Sequence, residues 1–515
     1  RHHRHARSGL HPSRAGTRIL RQQRCQPDSG RALLSGVLTV APVTSHAAPT
    51  ASHPPPSFTM ISLFAGAGGL DIGLEKAGFT TLAMNELETH ACETLRQNKK
   101  LSWLEPKEFD EWFASQMQQR CYAKISHLDR QELRKHLSSA IGKNRHLHQA
   151  EILEGDIRSV STQTLLKAAG IRPGELCLIA GGPPCQPFSR AGKRETVESD
   201  DGKLFLEFVR IVNEARPRWF LFENVKGLSQ SKTLVPYTRC PQCHTKQPLP
   251  FVLRPQALDE EISHAICPEC GHKDCSIQID EVSGGSLQII LSEFQRIGYK
   301  CYHTLLNAAD FGVPQSRERL IIVGSRDGEA FNWPLPTHCT PKQLDGGIYK
   351  GQMDLLAETT EPLKPWSTVR ETLWQQGHPE FGLLDLSKAV IWVKNVVRPH
   401  DEPVYWTLDR PSPTVGAHQA AKLCVAPEGV PPEQLARQQW HTKGHRQKDL
   451  PPVNVKHAYL SDTELLALQT FPTDWYLYGT RMQRAFQIGN AVPPRLAEAV
   501  GRAIIAASQH NGNPR

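Results

Sequence analysis

From Met60 onward, short apolar runs alternate with amphipathic segments, and this alternation restricts the chain to an α/β fold built on a parallel sheet. The run MISLF reads as a strand, and AGAGGLDIGLEKAGF follows it. There Leu70, Leu74 and Ala77 share one helical face, and Gly78 suits the position just past the helix end. TTLAMNE, AEILEGDI and ELCLIAGG are the next strands. A helix KLFLEFVRIVNEA leads to the strand WFLFENV. The helix LQIILSEFQRIG, with Leu287, Ile290, Leu291, Phe294 and Ile297 on one face and Gly298 as its stop, precedes a further strand, RLIIVGS. Residues 95–150 are helical, polar and charged, and read as an insertion to which no chemistry is assigned. From 326 to 460 the periodicity weakens and Pro, Gly, Trp and His become frequent, which predicts a second, smaller and irregular domain. Residues 461–515 return to amphipathic helices, predicted to pack back on the first domain.

Composition narrows the class. At 515 residues the chain has room for two to four domains. It contains no run of eighteen apolar residues, so no membrane span is expected. Most of its 13 cysteines are scattered singly, which fits a reducing compartment and a cytoplasmic location. The net charge of +8 says little about a partner, because residues 1–59 carry eight arginines and a single acid, Asp28. The rest is close to neutral. That leading segment, rich in Arg, His, Ser and Pro, is expected to be a disordered leader or not native protein, despite a stretch that imitates a signal peptide. Residues 60–325 are expected to form the main domain.

Polar residues gather at the predicted strand ends. Gly66, Gly68 and Gly69 occupy a turn between a strand and a helix, where glycine lets the backbone approach a ligand at the helix N-terminus. Glu86 ends the next strand and lies 20 positions beyond Gly66, placed to accept hydrogen bonds from a ribose. Asp156 closes the following strand, and Glu223 the strand WFLFENV. Between them stands GGPPCQPFS, whose two glycines and three prolines hold Cys185 on a rigid turn. Taken alone, that cysteine is a nucleophile, a metal ligand or an inert thiol. A carboxylic acid at the next strand end favours covalent chemistry on a ring. A separate cluster, CPQC at 240–243 and CPEC at 267–270, has zinc spacing, with 23 residues between the pairs. His244, His272 and Cys275 are reserve ligands to Cys240, Cys243, Cys267 and Cys270.

The ordered series FAGAGGLDIGLEKAGF, NE, GDI, GGPPCQPFSRAGKR, ENV, QSRERLIIVG, LQTFP and QIGNAVPP resembles the cytosine-C5 DNA methyltransferases of bacterial restriction-modification systems. It covers most of 60–325 and 455–505. The resemblance implies a Rossmann-like, S-adenosyl-L-methionine-dependent methyltransferase sheet. A smaller target-recognition domain over 326–460 is implied with it, and an inserted zinc knuckle over 229–283 departs from the family pattern. It further implies that Cys185 adds to C6 of a flipped cytosine, that Glu223 holds or protonates N3, and that Arg319 binds O2. Arg317 would organise the loop or meet a phosphate. Phe64, Gly66, Gly68, Gly69 and Leu70 would cradle the methionine part of the cofactor and Glu86 the ribose. Asp156 and Ile157 would meet the adenine, while Pro183, Asn490 and Val492 complete the pocket. Zinc would be structural.

The implied partner is double-stranded DNA, bound by a monomer, with any cognate restriction endonuclease acting separately. Two other functions compete, a tRNA cytosine-C5 methyltransferase and a catalytically silent zinc DNA-binding protein. Intact Cys185, Glu223 and Arg319 speak against the second, and the size of 326–460 against the first.

Overall fold

The computed structural model of the chain describes residues 58–119, 122, 127–141, 146–184, 204–248, 267, 269–340, 362–375, 389–393, 404–416, 422–425 and 456–510. The leader expected over residues 1–59 falls almost wholly outside them. Its strands are β1 (Thr59–Leu63), β2 (Thr80–Glu86), β3 (Glu151–Glu154), β4 (Leu178–Gly181), β5 (Trp219–Val225), β6 (Lys232–Arg239), β7 (Lys246–Pro248), β8 (Ser276–Ser283), β9 (Lys300–Asn307) and β10 (Glu318–Ser325). The helices are α1 (Gly69–Ala77), α2 (Thr89–Trp103), α3 (Phe109–Met117), α4 (His127–Ala140), α5 (Thr162–Ala169), α6 (Leu204–Ala215), α7 (Gly285–Arg296), α8 (Val369–Gln375), α9 (Asp462–Leu468), α10 (Arg481–Asn490) and α11 (Pro494–His510).

Seven strands make the main sheet, in the order β3-β2-β1-β4-β5-β10-β9. β1 to β5 are parallel, whereas β10 runs antiparallel to both β5 and β9. The sheet is therefore mixed, not wholly parallel as the alternation suggested. β9 and β10 are joined by a connection too short for a parallel crossover, so they pair as neighbours in opposite directions. β9 itself has no continuous apolar run because it is a half-exposed edge strand, and its sequence KCYHTLLN hides it.

Strand order reverses between β1 and β4. The chain winds outward through β2 and β3, then returns to place β4 on the other side of β1. Loops leaving β1 and β4 diverge there, and such a reversal is where an open α/β sheet forms its crevice at the carboxyl ends of the strands. The two backbones are close, since a Cβ on Gly181 would lie 2.3 Å from the Leu63 carbonyl oxygen. One face of the sheet is sealed by α6 and α7, where Phe220 stacks on Phe294 at 4.0 Å and Phe208 meets Phe222 edge-on. α1 and α11 cover the other face in backbone contact, with a Cβ on Gly73 only 2.3 Å from the Pro494 carbonyl.

The helical insertion expected over 95–150 has a structural task. Its Phe109, Trp112, Phe113 and Tyr122 form an apolar cluster with Tyr476. The Asn98 amide donates to the Tyr476 carbonyl at 2.7 Å and accepts from the Tyr476 N–H at 3.0 Å. The insertion thus braces residues 475–478 against the main domain. The region expected to be irregular contains an antiparallel sheet of Val404–Thr407, Ala389–Val393, Lys422–Val425 and Lys456–Tyr459, in that order. Strands of four or five residues are too short to register as periodicity. No helix among the described residues is long and apolar enough to cross a membrane.

Candidate active site

The crevice is built by the turn after β1. Phe64, Gly66 and Gly68 all have positive φ, at 55°, 56° and 82°. Only glycine takes this region freely, so Phe64 is a strained position held by its surroundings. Gly69 leaves no room for a side chain, because a Cβ there would lie 2.5 Å from the Val492 carbonyl. Trp475, almost fully buried, donates its indole N–H to the Ala67 carbonyl at 3.1 Å. The C-terminal segment thus closes against the glycine turn. Val492 is buried in this closure, while Asn490 is exposed at the end of α10. Leu70 is buried on the sheet-facing side of α1, and no side chain caps the α1 N-terminus.

Glu86 is buried at the end of β2 and braces the turn. Its Oε2 accepts from the Gly66 N–H at 2.7 Å, and its Oε1 accepts from Leu87 and Glu88 at 2.9 and 2.8 Å. Burial pushes this carboxyl above its ordinary range, and the three amides pull it back in part. A carboxylate has about four acceptor positions. One is left, on Oε2, for a ligand hydroxyl.

Asp156 lies one residue beyond Gly155, not on the strand, because β3 stops at Glu154. Its Oδ1 accepts from the Arg158 N–H at 2.9 Å, and Arg158 Nε donates to Oδ2 at 2.9 Å, which holds the carboxyl below its usual value. Any ligand amine must share Asp156 with Arg158. Ile157 is buried beside it.

Across the crevice, Arg319 Nε lies 2.9 Å from Glu223 Oε1, both side chains nine-tenths buried. Antiparallel pairing of β10 on β5, with Arg319 opposite Val225, brings them together. Burial raises the Glu223 carboxyl above its ordinary value, while the guanidiniums of Arg319 and then Arg317 oppose this. Gly182 is tight against it, since a Cβ there would meet Glu223 Oε2 at 2.7 Å. The Asn224 amide donates to the carbonyl of buried Pro183 at 3.2 Å, tying the Pro-Pro turn to β5. Cys185 and the residues to 203 lie outside the described residues, but the stem that carries Cys185 ends on Glu223.

Arg317 has a different place. It is almost fully buried and donates to the carbonyls of Val415 at 3.2 Å and Gly489 at 2.8 Å. It joins the QSRER turn to a segment of the second region and to α10. Gln315 helps, its Oε1 accepting from Val415 N–H at 3.0 Å, and Ser412 pairs its backbone with Pro314 and Ser316. Sequence reading missed this clamp, because a buried glutamine between Pro and Ser carries no local signal.

Asp71, in the first turn of α1, was also missed. It is fully buried, no hydrogen bond of ordinary geometry reaches either carboxylate oxygen, and its pKa is pushed up to about 7 by burial. The nearby Ser62 hydroxyl offsets this only partly. An acid that holds its proton more tightly when folded destabilises the fold as it ionises. The penalty is absent below the unfolded value of 3.8, grows with rising pH, and is complete above about 7. It amounts to roughly 4 kcal/mol at full ionisation. Asp71→Asn is therefore expected to raise the urea midpoint at pH 8.5 and to flatten its dependence on pH between 5 and 8.5. Identical pH dependence in variant and wild type would show that Asp71 does not ionise with the cost argued.

The cysteine cluster stands apart, at the tip of β6, β7 and β8. The sulfurs of Cys240, Cys243, Cys267 and Cys270 all lie within 4.8 Å of one another. Two pairs, Cys240 with Cys270 and Cys243 with Cys267, are 3.5 Å apart. The two knuckles repeat one geometry. The Cys240 N–H donates to the Thr245 carbonyl while its own carbonyl accepts from His244 N–H, and Cys267 does the same with the His272 carbonyl and Gly271 N–H. His244 and Gly271, each just past its Cys-x-x-Cys, have φ of 59° and 74°. Cys275 lies beneath as a buried thiol raised to about 11, first by burial. The base of this insertion joins the main core through Val235 and Tyr237, and Thr233 Oγ1 meets Ser286 Oγ at 2.7 Å.

Comparison with known proteins agrees with this frame. The family model described as C-5 cytosine-specific DNA methylase matches residues 58–119, 122–238 and 279–506. The Type II methyltransferase M.AquIA of Picosynechococcus sp. is 33% identical over 61% of this chain and 87% of its own length. The Type II methyltransferase M1.HphI of Haemophilus parahaemolyticus is 27% identical over 87% of each chain. The unmatched gap, 239–278, holds the four clustered cysteines. The chain belongs to the C-5 cytosine-specific DNA methylase family and is a DNA cytosine-C5 methyltransferase.

Proposed function

We propose that the enzyme moves a methyl group from S-adenosyl-L-methionine to C5 of a cytosine turned out of double-stranded DNA at a specific sequence, through a bond between Cys185 and C6. It would act as a monomer and protect host DNA from a separately acting restriction endonuclease. The observation that carries this reading is the buried Glu223–Arg319 pair, reached by the stem of the Cys185 turn.

The residues supply what the reaction lacks. C5 of cytosine is a poor nucleophile until a thiolate adds to C6. As the Cys185 sulfur bonds to C6, the C5–C6 π pair moves towards C5. Glu223, held towards its protonated form by burial, gives a proton to N3 and keeps negative charge off the ring. Arg319 fixes Glu223 and donates to O2. Bound in the crevice, S-adenosyl-L-methionine supplies the electrophilic methyl. Water then takes the C5 proton, the electron pair re-forms the C5–C6 double bond as the thiolate leaves C6, and N3 returns its proton to Glu223.

For the cofactor, the uncapped N-terminus of α1 suits a carboxylate and the open acceptor of Glu86 suits one ribose hydroxyl. Phe64, Gly66 and Gly68 to Leu70 would hold the methionine part, with Asp156, Ile157 and Pro183 near the base and Asn490 and Val492 closing the pocket. Cys240, Cys243, Cys267 and Cys270 would hold one structural Zn²⁺. Tetrahedral thiolates at 2.3 Å place sulfurs about 3.8 Å apart, close to the 3.5 Å seen here. Residues 60–325 with 461–515 would form the catalytic domain and 326–460 the recognition domain.

The test is methyl transfer from labelled cofactor to plasmid DNA and to tRNA, with a 5-fluorocytosine duplex as trap. Label in DNA alone, and a complex with the trap that survives denaturation, is the expected result. Label in tRNA, or no stable complex, would refute it.

A further inference from the structure

Arg410 is a cation without an anion among the described residues. Its guanidinium carbon lies 4.1 Å from the centroid of the Trp406 ring, on the strand Val404–Thr407. The side chain is half-buried, and burial alone pulls it below the ordinary guanidinium range. Its Nε is buried with no hydrogen-bond partner, and no carboxylate pairs with it among the described residues. The adjacent acid is already taken, as Arg370 Nε lies 2.5 Å from Asp409 Oδ1. A partly desolvated charge without a partner is unfavourable in the free protein. Stacking on an indole recovers part of that and fixes the plane of the fork.

The position is also fixed. Arg410 accepts at its carbonyl from Val369 N–H at 3.2 Å. Two residues on, Ser412 accepts from Ser316 N–H at 2.8 Å and donates to Pro314 at 2.9 Å. The backbone that bears Arg410 is thereby locked to the turn that leads into Arg319.

We propose that Arg410, with Trp406 as its platform, receives a backbone phosphate of the DNA beside the target base. This rests on DNA being the substrate. A planar guanidinium held flat offers two parallel N–H donors to phosphate oxygens. The phosphate in turn supplies the anion that the described residues do not.

The test uses the full chain and fluorescent duplexes of several unrelated sequences, titrated across a salt series. In Arg410→Ala the slope of log K against log salt should fall by about 0.9. Affinity should weaken about tenfold, and equally for every sequence. Arg410→Lys should restore the slope, because it keeps the charge. The thermal midpoint should not fall and S-adenosyl-L-methionine affinity should not move, which separates lost contact from lost fold. An unchanged slope in Arg410→Ala, or changed preference at one base pair with the slope intact, overturns the proposal. Wild type that fails to methylate DNA would instead sink the functional reading itself.

Discussion

Replacing Glu223 by glutamine is expected to slow methyl transfer by roughly 10²- to 10⁴-fold, the range typical of a lost general acid, with DNA affinity nearly unchanged. Glutamine keeps the shape and still accepts from Arg319, so the buried arginine stays paired. Alanine would be a poorer test, since orphaning a buried partner costs roughly 3–5 kcal/mol of stability. The pH profile adds a second readout. The proposed mechanism needs Glu223 protonated, and its carboxyl is raised by burial. Wild-type activity should therefore be present below that raised value and fall as pH rises through it. The Glu223→Gln variant should lose this limb. A variant with near wild-type kcat, or one that retains the limb, would remove Glu223 from the role of acid.

Removal of the proposed zinc is expected to have the other large effect. One metal per chain is expected by elemental analysis. A chelator, or Cys267→Ser, should open the segment from Cys240 to His272 to protease, because a four-thiolate site in an isolated finger contributes about 10–16 kcal/mol of folding energy. The damage should spread in one direction. β6 follows β5 closely, and β8 leads into α7, whose Phe294 stacks on Phe220 of β5. Methyl transfer should fall with the support of Glu223. The proposed cofactor crevice lies between β1 and β4, away from this path, so S-adenosyl-L-methionine affinity should persist. Unchanged protease resistance without metal would refute the zinc reading. Collapse of cofactor affinity would show that the insertion is not separable from the crevice.

Much of the frame was legible in the residues. Short apolar runs marked β1, β2, β4, β5 and β10, because strands in the middle of a sheet covered on both faces need them. The family was legible from the joint order of its motifs, and the comparison bears it out. The cysteine pairs were legible because a turn of two residues between thiols has few other uses. What escaped were features without a local signature. β9 is an edge strand, and the short strands of the second region carry no period. The Asn98–Tyr476 and Gln315–Val415 bonds join positions far apart in the chain.

The sequence by itself placed Glu86, Asp156 and Glu223 at or just past the ends of apolar runs, where polar residues and glycine interrupt a buried strand. It also determined the family. The tertiary structure decided which groups meet. Antiparallel placement of β10 beside β5 puts Arg319 on Glu223. Burial turns Asp71 from an ordinary helix residue into a titrating one. The neighbour that takes Asp409 leaves Arg410 with no carboxylate among the described residues. Charge, in each case, is written locally, but its effect depends on the solvent excluded and the partner supplied by distant parts of the chain.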